Sequence, residues 1–107
     1  MRALLLVLGA MLAFTVHARG NAQEGKTKAA QVCAVCHGAD GNKPSDPMQP
    51  VLAGQYYDYL VRALTDYKIG RRNNPIMKGF AAGLSKKDIE DLSAWFSSQK
   101  SSLHDQR

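Results

Sequence analysis

Apolar residues recur with the period of an α-helix in two long stretches of this 107-residue chain. The first runs from Gln55 to Ile69, and Gly70 is placed to end it. Its apolar stripe consists of Tyr56, Leu60, Ala63, Leu64 and Tyr67. The second opens at Ser85, which can cap a helix together with Asp88. The side of this last helix that we predict to be buried in a core consists of Ile89, Leu92, Trp95 and Phe96.

A shorter helix is predicted over residues 24–31, where the small residues Gly25 and Ala29 fall on one face. A face of small residues permits a close contact with another helix. Segments 38–47 and 73–77 are rich in turn-forming residues and are predicted to be loops. Because the chain beyond its N-terminal stretch shows no strand pattern, we predict an all-α domain with about three to four helices.

Residues 1–22 are predicted to be an export signal that is cleaved after Ala22. Arg2 precedes an apolar run over residues 3–16, and a polar segment then ends in Gly20-Asn21-Ala22. The run is shorter than the roughly 20 residues that span a bilayer, so a retained membrane anchor is the less favoured alternative. Cleavage would leave residues 23–107, one small domain of 85 residues, in the periplasm of a bacterium.

The segment Cys33-Ala34-Val35-Cys36-His37 has the attachment pattern of c-type haem. Two thiols three positions apart can add across the two vinyl groups of haem, and the adjacent imidazole is then held under the iron as a nitrogen ligand. We therefore predict one covalently attached haem. A buried haem would also complete the core of a domain that is too small to depend comfortably on its own apolar residues.

Cys33 and Cys36 have two alternative roles besides haem attachment. A dithiol/disulfide redox pair is expected in the strand–helix setting of a thioredoxin-like fold, which this sequence lacks. A structural zinc site needs about four ligands, and His104 in the polar tail is the only further histidine outside the predicted leader. Because CxxCH is short enough to occur by chance, features in the rest of the chain are needed to distinguish these interpretations.

Two further residues are candidates for the surroundings of the haem. The carbonyl of Pro50 could accept a hydrogen bond from the His37 ring N–H that does not face the iron, although by periodicity it is one carbonyl among several. Met77 is predicted to be the second axial ligand of the iron, because a thioether is a soft, neutral ligand that favours the reduced state. Met48, the only other methionine outside the leader, precedes Pro50 and so belongs to the His37 side.

The formal charge is +5 for the full chain and +3 for residues 23–107, a weak steering signal toward an acidic partner. Four lysines could surround an exposed haem edge, although solvation is their default role. They are Lys43, Lys78, Lys86 and Lys87. Nucleic-acid binding is not supported, since the basic residues are scattered and form no recognised reader motif.

Together these residues resemble the class I c-type cytochromes, and most of all the single-haem modules of the bacterial cytochrome c-four and c-five groups. The resemblance rests on CAVCHGADG at 33–41, PVLAGQ at 50–55 with YL at 59–60, the methionine segment at 73–77 and LSKKDIEDLSAWF at 84–96. It implies a small class I cytochrome c fold whose first and last helices cross near Gly25. The residues that it assigns to haem binding are Cys33 and Cys36 as thioethers, His37 and Met77 as iron ligands, and Pro50 as the partner of His37.

The resemblance implies a periplasmic monohaem electron carrier that is not an enzyme and that meets its redox partners in transient complexes. The alternative is a haem-bearing, electron-accepting subunit of a periplasmic oxidoreductase. An enzyme or gas sensor would need an open iron position, against which Met77 argues, and a binding module with a Cys33–Cys36 disulfide would hold no haem. Relatives often carry an aromatic residue in place of Ala29. The c-four group joins two modules, so with one haem motif here a monomer and a weak homodimer both stay open.

Overall fold

The computed structural model describes residue 9 and residues 19–103, which form α-helices joined by loops, with no strand in this part of the chain. The predicted leader lies outside the described residues except at residues 9 and 19–22. The described residues form five helices, α1 (Ala22–Val32), α2 (Ala34–His37), α3 (Tyr57–Ile69), α4 (Pro75–Ala82) and α5 (Lys86–Ser98). The all-α prediction is confirmed. Among the described residues, no helix combines the length and the apolar character needed to cross a membrane.

Helix α4 corrects the prediction of a loop over residues 73–77. The side chain of Asn74 accepts hydrogen bonds from the backbone N–H groups of Ile76 and Met77, and Pro75 occupies the first helical position. An asparagine cap followed by proline favours helix initiation, because proline lacks an N–H that would have no partner there and its fixed φ suits a helix. Met77 therefore lies in the first turn of a helix rather than in a loop.

Helix α3 begins later than predicted and ends where predicted. Tyr56 is the N-terminal flanking residue of α3 and is 63% exposed, so it does not belong to the apolar stripe, whereas Leu60 is buried. Gly70 ends the helix in the left-handed conformation, with φ of 85°. Its N–H is bonded to carbonyl oxygens of the last turn, which is the usual way that glycine closes a helix.

The core lies where α5 packs against α1 and α3. Its buried apolar residues are Ala29, Leu60, Ala81, Leu84, Ile89, Leu92 and Phe96. The predicted start of α5 is confirmed, since the Ser85 side chain accepts from the Asp88 N–H while the Asp88 carboxylate accepts from the Ser85 N–H. This reciprocal cap fixes the point at which α5 enters the core.

The contact between α1 and α5 depends on a glycine. Gly25 is buried, and a Cβ atom at this position would overlap the carbonyl oxygen of Asp91 and lie 2.9 Å from the Cβ of Trp95. Ala29, one turn further along α1, is also fully buried. The small-residue face predicted from the sequence is therefore the face on which the first and last helices cross, as the resemblance implied.

Candidate functional site

The cysteine-histidine motif folds as a separate single turn of helix. Helix α1 ends at Val32, and Cys33 flanks both α1 and the four-residue helix α2. The carbonyl of Cys33 accepts hydrogen bonds from the N–H groups of Cys36 and His37, at 3.3 and 3.0 Å. The two thiols and the imidazole are thus held within one turn of backbone.

The imidazole of His37 is buried and fixed by one hydrogen bond. Its Nδ1 lies 2.9 Å from the carbonyl oxygen of Pro50, and the side chain is only 6% exposed. Because a carbonyl oxygen can only accept, this contact requires Nδ1 to carry the proton, which leaves the lone pair on Nε2. A histidine held in this way presents one defined nitrogen to a metal.

The loop that brings Pro50 to His37 depends on Gly41. This glycine is buried with φ of 82°, and a Cβ atom on it would lie 2.8 Å from the Ala53 nitrogen and from the Phe96 ring. Its carbonyl accepts from the N–H of Leu52 at 2.8 Å, close to Pro50 in the chain. A side chain at position 41 would push this part of the loop away from the core and with it the acceptor of the His37 proton.

Two side-chain contacts fasten the same loop to the C-terminal part of the fold. The indole N–H of Trp95 donates to the Ala39 carbonyl at 2.9 Å. Asn42 donates to the Lys100 carbonyl at 2.9 Å and accepts from the Ser102 N–H at 2.6 Å. Sequence reasoning missed both roles, because the partners lie 56 or more positions apart and a loop residue has no periodic signal.

The electrostatic setting of Cys33 does not favour thiol redox chemistry. Burial raises the pKa of the Cys33 thiol to about 11, with the neighbouring Cys36 adding to the effect and Lys28 opposing it. Redox-active cysteines have depressed pKa values, because the thiolate is the reactive form. In the described part of the chain, no three His, Cys, Asp or Glu side chains converge as a metal-binding group.

The two methionines outside the leader differ in their surroundings. Met77 is half-buried near the start of α4, a helix that packs on α3. Met48 is 91% exposed in a turn, where its N–H bonds to the Asp46 carboxylate at 2.8 Å. The structure thus joins Cys33, Cys36, His37 and Pro50 through one turn and one loop, and it carries Met77 on a separate element.

The donor set of these residues fits a c-type haem. It offers two thiols in one helical turn, an imidazole with Nδ1 occupied and Nε2 free, and a half-buried thioether on a different helix. These are the ligand types of electron-transfer haems, in which both axial positions are filled by protein side chains.

Comparison with known proteins gives the family. The cytochrome c family model matches residues 22–100. A relative named cytochrome c4 from Pseudomonas aeruginosa is 48% identical over 94% of this chain and 48% of its own length. Cytochrome c-554(548) from Halomonas halodenitrificans is 39% identical over 76% of this chain and 99% of its own.

A solved structure supports the same assignment. Reduced recombinant cytochrome c4 from Pseudomonas stutzeri superimposes with a TM-score of 0.72 at 43% identity, covering 78% of this chain and 48% of that one. The chain thus spans about half the length of the cytochrome c4 relatives that it matches. The family model, these relatives and the fold together show that this chain belongs to the cytochrome c family, as a class I c-type cytochrome of the c4 group.

Proposed function

We propose that this chain is a periplasmic monohaem cytochrome that carries electrons between redox proteins, with its haem attached through Cys33 and Cys36. In this proposal His37 and Met77 would hold the iron of the haem as its two protein ligands. The observation that carries it is the hydrogen bond from His37 to the Pro50 carbonyl, because it leaves only Nε2 of the buried imidazole free to bind a metal.

The haem would supply a one-electron couple. The chain's own residues would set how readily the iron gains and loses that electron. The Pro50 carbonyl accepts the hydrogen bond from Nδ1 of His37, which fixes the plane of the imidazole ring and the nitrogen that it presents. The loop that carries Pro50 is tied to α5 through Trp95. Ligands that are held in the same place in both oxidation states keep rearrangement on electron transfer small.

We propose Met77 as the second ligand because of its position in the fold as well as the chemistry of its thioether. The cap at Asn74 fixes the first turn of α4, which carries the half-buried Met77 side chain. A fixed thioether favours the reduced iron and occupies the position that an enzyme or gas sensor would leave open. The exposed Met48 is the matched comparison, since it is the only other methionine in the part of the chain that the structure describes.

Export to the periplasm is part of the same proposal. The leader predicted from the sequence would direct the chain there, and covalent haem attachment consumes two thiols that would otherwise be free to pair in an oxidising compartment. No bond of a substrate is made or broken in this role. The proposed partners are redox proteins that bind briefly through small interfaces.

A second candidate function is that of an electron-accepting subunit in a stable oxidoreductase complex. A relative from Stutzerimonas stutzeri named thiosulfate dehydrogenase electron acceptor is 40% identical over 67% of this chain. Size-exclusion chromatography of the exported protein from its natural host separates the two roles. A free carrier would elute at the mass of the small haem protein, and a subunit would elute with one enzyme.

The test of the proposed ligands is an absorption spectrum of the purified, exported protein in the oxidised and reduced states. We expect a c-type reduced spectrum and, in the ferric state, the weak near-infrared band of sulfur–iron ligation. Met77→Ala should lose this band, whereas the control Met48→Ala should keep it. A band that persists in Met77→Ala would disprove the assigned ligand, and the absence of any haem spectrum would disprove the function.

A further inference from the structure

The excess positive charge of the described chain lies in one segment. Residues 62–80 contain five Lys or Arg residues and one Asp, whereas the rest of residues 19–103 contains seven basic and seven acidic residues. This segment, called the basic segment below, begins in α3 and ends in α4. It includes Met77, the proposed ligand.

Four of the seven described basic residues outside this segment have acidic partners. Ion pairs join Lys28 to Asp88 at 3.7 Å and Lys86 to Glu90 at 3.9 Å, and Lys87 contacts both Glu24 and Asp91. Within the described residues, none of the basic side chains of the basic segment forms an ion pair. Lys86 and Lys87, which the sequence analysis grouped with Lys43 and Lys78 at a haem edge, are therefore engaged with acidic groups of α1 and α5.

Three cations of the basic segment gather at the end of α3. Arg71 and Arg72 directly follow Gly70, and both are exposed. The amine of Lys78 lies 3.7 Å from the position that a Cβ atom on Gly70 would take. These three residues, Arg71, Arg72 and Lys78, are called the basic patch, and they lie beside the first turn of α4.

We propose that the basic patch is the docking surface for a redox protein with an acidic surface, and that electrons leave on the Met77 side of the fold. This inference rests on the proposed function. Unpaired cations grouped on one face attract an acidic partner and orient it, while paired cations contribute little to the field at a distance. Ile76, 69% exposed in the same turn of α4, offers an apolar contact inside the charged rim, as protein interfaces commonly do.

The test measures electron transfer from the reduced holoprotein to two small oxidants of opposite charge. Each reaction moves one electron from the ferrous protein, either to anionic ferricyanide or to cationic tris(phenanthroline)cobalt(III). The patch variant carries Arg71→Gln, Arg72→Gln and Lys78→Gln. A control with the same net charge carries Lys26→Gln, Lys86→Gln and Lys100→Gln, at exposed positions outside the basic segment.

At low ionic strength the patch variant should react with ferricyanide about tenfold more slowly than the wild type and with the cobalt complex faster. The control should change each rate by about twofold or less, because it keeps all three charges of the basic patch. Poly-L-glutamate, a stand-in for an acidic protein surface, should slow the wild-type ferricyanide reaction and have little effect on the patch variant. Equal rates for the two triple variants would overturn the proposal.

Binding to a lipid surface is the competing explanation of such a patch. If only the patch variant fails to sediment with phosphatidylglycerol vesicles while its ferricyanide rate equals that of the control, the patch serves a membrane and the proposal is overturned. All of these measurements use protein that shows a c-type haem spectrum. A normal spectrum with no patch effect removes this inference alone, whereas a missing spectrum removes the proposed function.

A different set of contacts concerns the N-terminal boundary of the domain. Gly20 has φ of 63°, and a Cβ atom there would overlap the Glu90 carbonyl. The Asn21 side chain accepts from the Glu24 N–H at 3.0 Å and so caps α1, while the Asn21 N–H donates to the Asp91 carboxylate at 2.7 Å. The predicted cleavage after Ala22 would remove all of these contacts.

We infer that the export signal is instead cleaved after Ala18, so that the exported chain begins at Arg19. Val16 and Ala18 give this bond small residues at the −3 and −1 positions. Arg19 already belongs to the fold, since its guanidinium lies 4.0 Å from the Asp58 carboxylate and 5.5 Å from the centroid of the Tyr57 ring.

N-terminal sequencing of the exported protein tests this boundary, independently of its haem content. The full chain is expressed with its own leader in a bacterial host that matures c-type cytochromes. Arg19 as the first residue supports the inference. A first residue of Gln23, or a chain that keeps its leader, overturns it.

Discussion

Replacing Gly25 by alanine is expected to lower the free energy of unfolding by about 3 kcal/mol, the upper range for forcing an extra methyl group into a packed contact. The reason is geometric, since the new Cβ would overlap the Asp91 carbonyl oxygen and lie 2.9 Å from the Cβ of Trp95. Neither atom can move alone, because one belongs to the backbone of α5 and the other begins the side chain that holds Ala39. The two helices would have to separate. Urea unfolding of the holoprotein, followed by circular dichroism, measures this loss.

The matched control is Gly79→Ala in α4. A Cβ atom at Gly79 would meet nothing within 4 Å, and the glycine lies inside a helix. Alanine there should leave the stability unchanged or raise it by up to about 1 kcal/mol, because glycine loses more backbone entropy on folding. If both variants lost the same stability, the close crossing of α1 and α5 would not be the cause.

Much of the fold could be predicted because its signals are local. The stop at Gly70 and the reciprocal cap at Ser85 each depend on residues within one or two turns of the helix that they end or begin. The start of α4 was missed although its signal is also local. Asn74-Pro75 is typical of a loop, but asparagine before proline serves equally well as the cap and first residue of a helix.

The candidate site was predictable in part for the same reason. Cys33, Cys36 and His37 are nearly contiguous, so a short motif identifies them. Pro50 lies 13 residues beyond His37, and among several carbonyls in that loop periodicity cannot choose one. The choice came from the resemblance to cytochromes, and the observed contact agrees with it. The fastening of the loop by Trp95 required the tertiary structure, because it joins positions 56 residues apart.

The ionic contacts around Asp91 were also beyond sequence reasoning, and they should contribute strongly to stability. The Asp91 side chain is 6% exposed, accepts from the Asn21 N–H at 2.7 Å and contacts the Lys87 amine at 2.5 Å. Burial alone would raise the pKa of this carboxyl, but the hydrogen bonds from Lys87 and Asn21 outweigh it and hold the pKa below its ordinary value. Folding therefore favours the charged form of the Asp91 carboxyl.

A pKa that is lower in the folded state than in the unfolded state stabilises the fold above the unfolded value, about 3.9 for aspartate. This contribution is lost as the pH falls through the folded value. Wild-type stability should therefore decline from about pH 4 downward. Asp91→Asn keeps an acceptor for the Asn21 N–H but removes the charge that Lys87 contacts, which should cost about 2 kcal/mol at pH 7.

The decisive measurement is the difference in unfolding free energy between wild type and Asp91→Asn at a series of pH values from 7 to about 3. The difference should be largest at neutral pH and should shrink as the wild-type carboxylate becomes protonated. Asp58→Asn is the control, because its exposed carboxylate, 4.0 Å from Arg19, should contribute about 0.5 kcal/mol or less. A difference for Asp91→Asn that stayed constant with pH would mean that the variant acts through altered packing, and that the charge of Asp91 does not stabilise the crossing of α1 and α5.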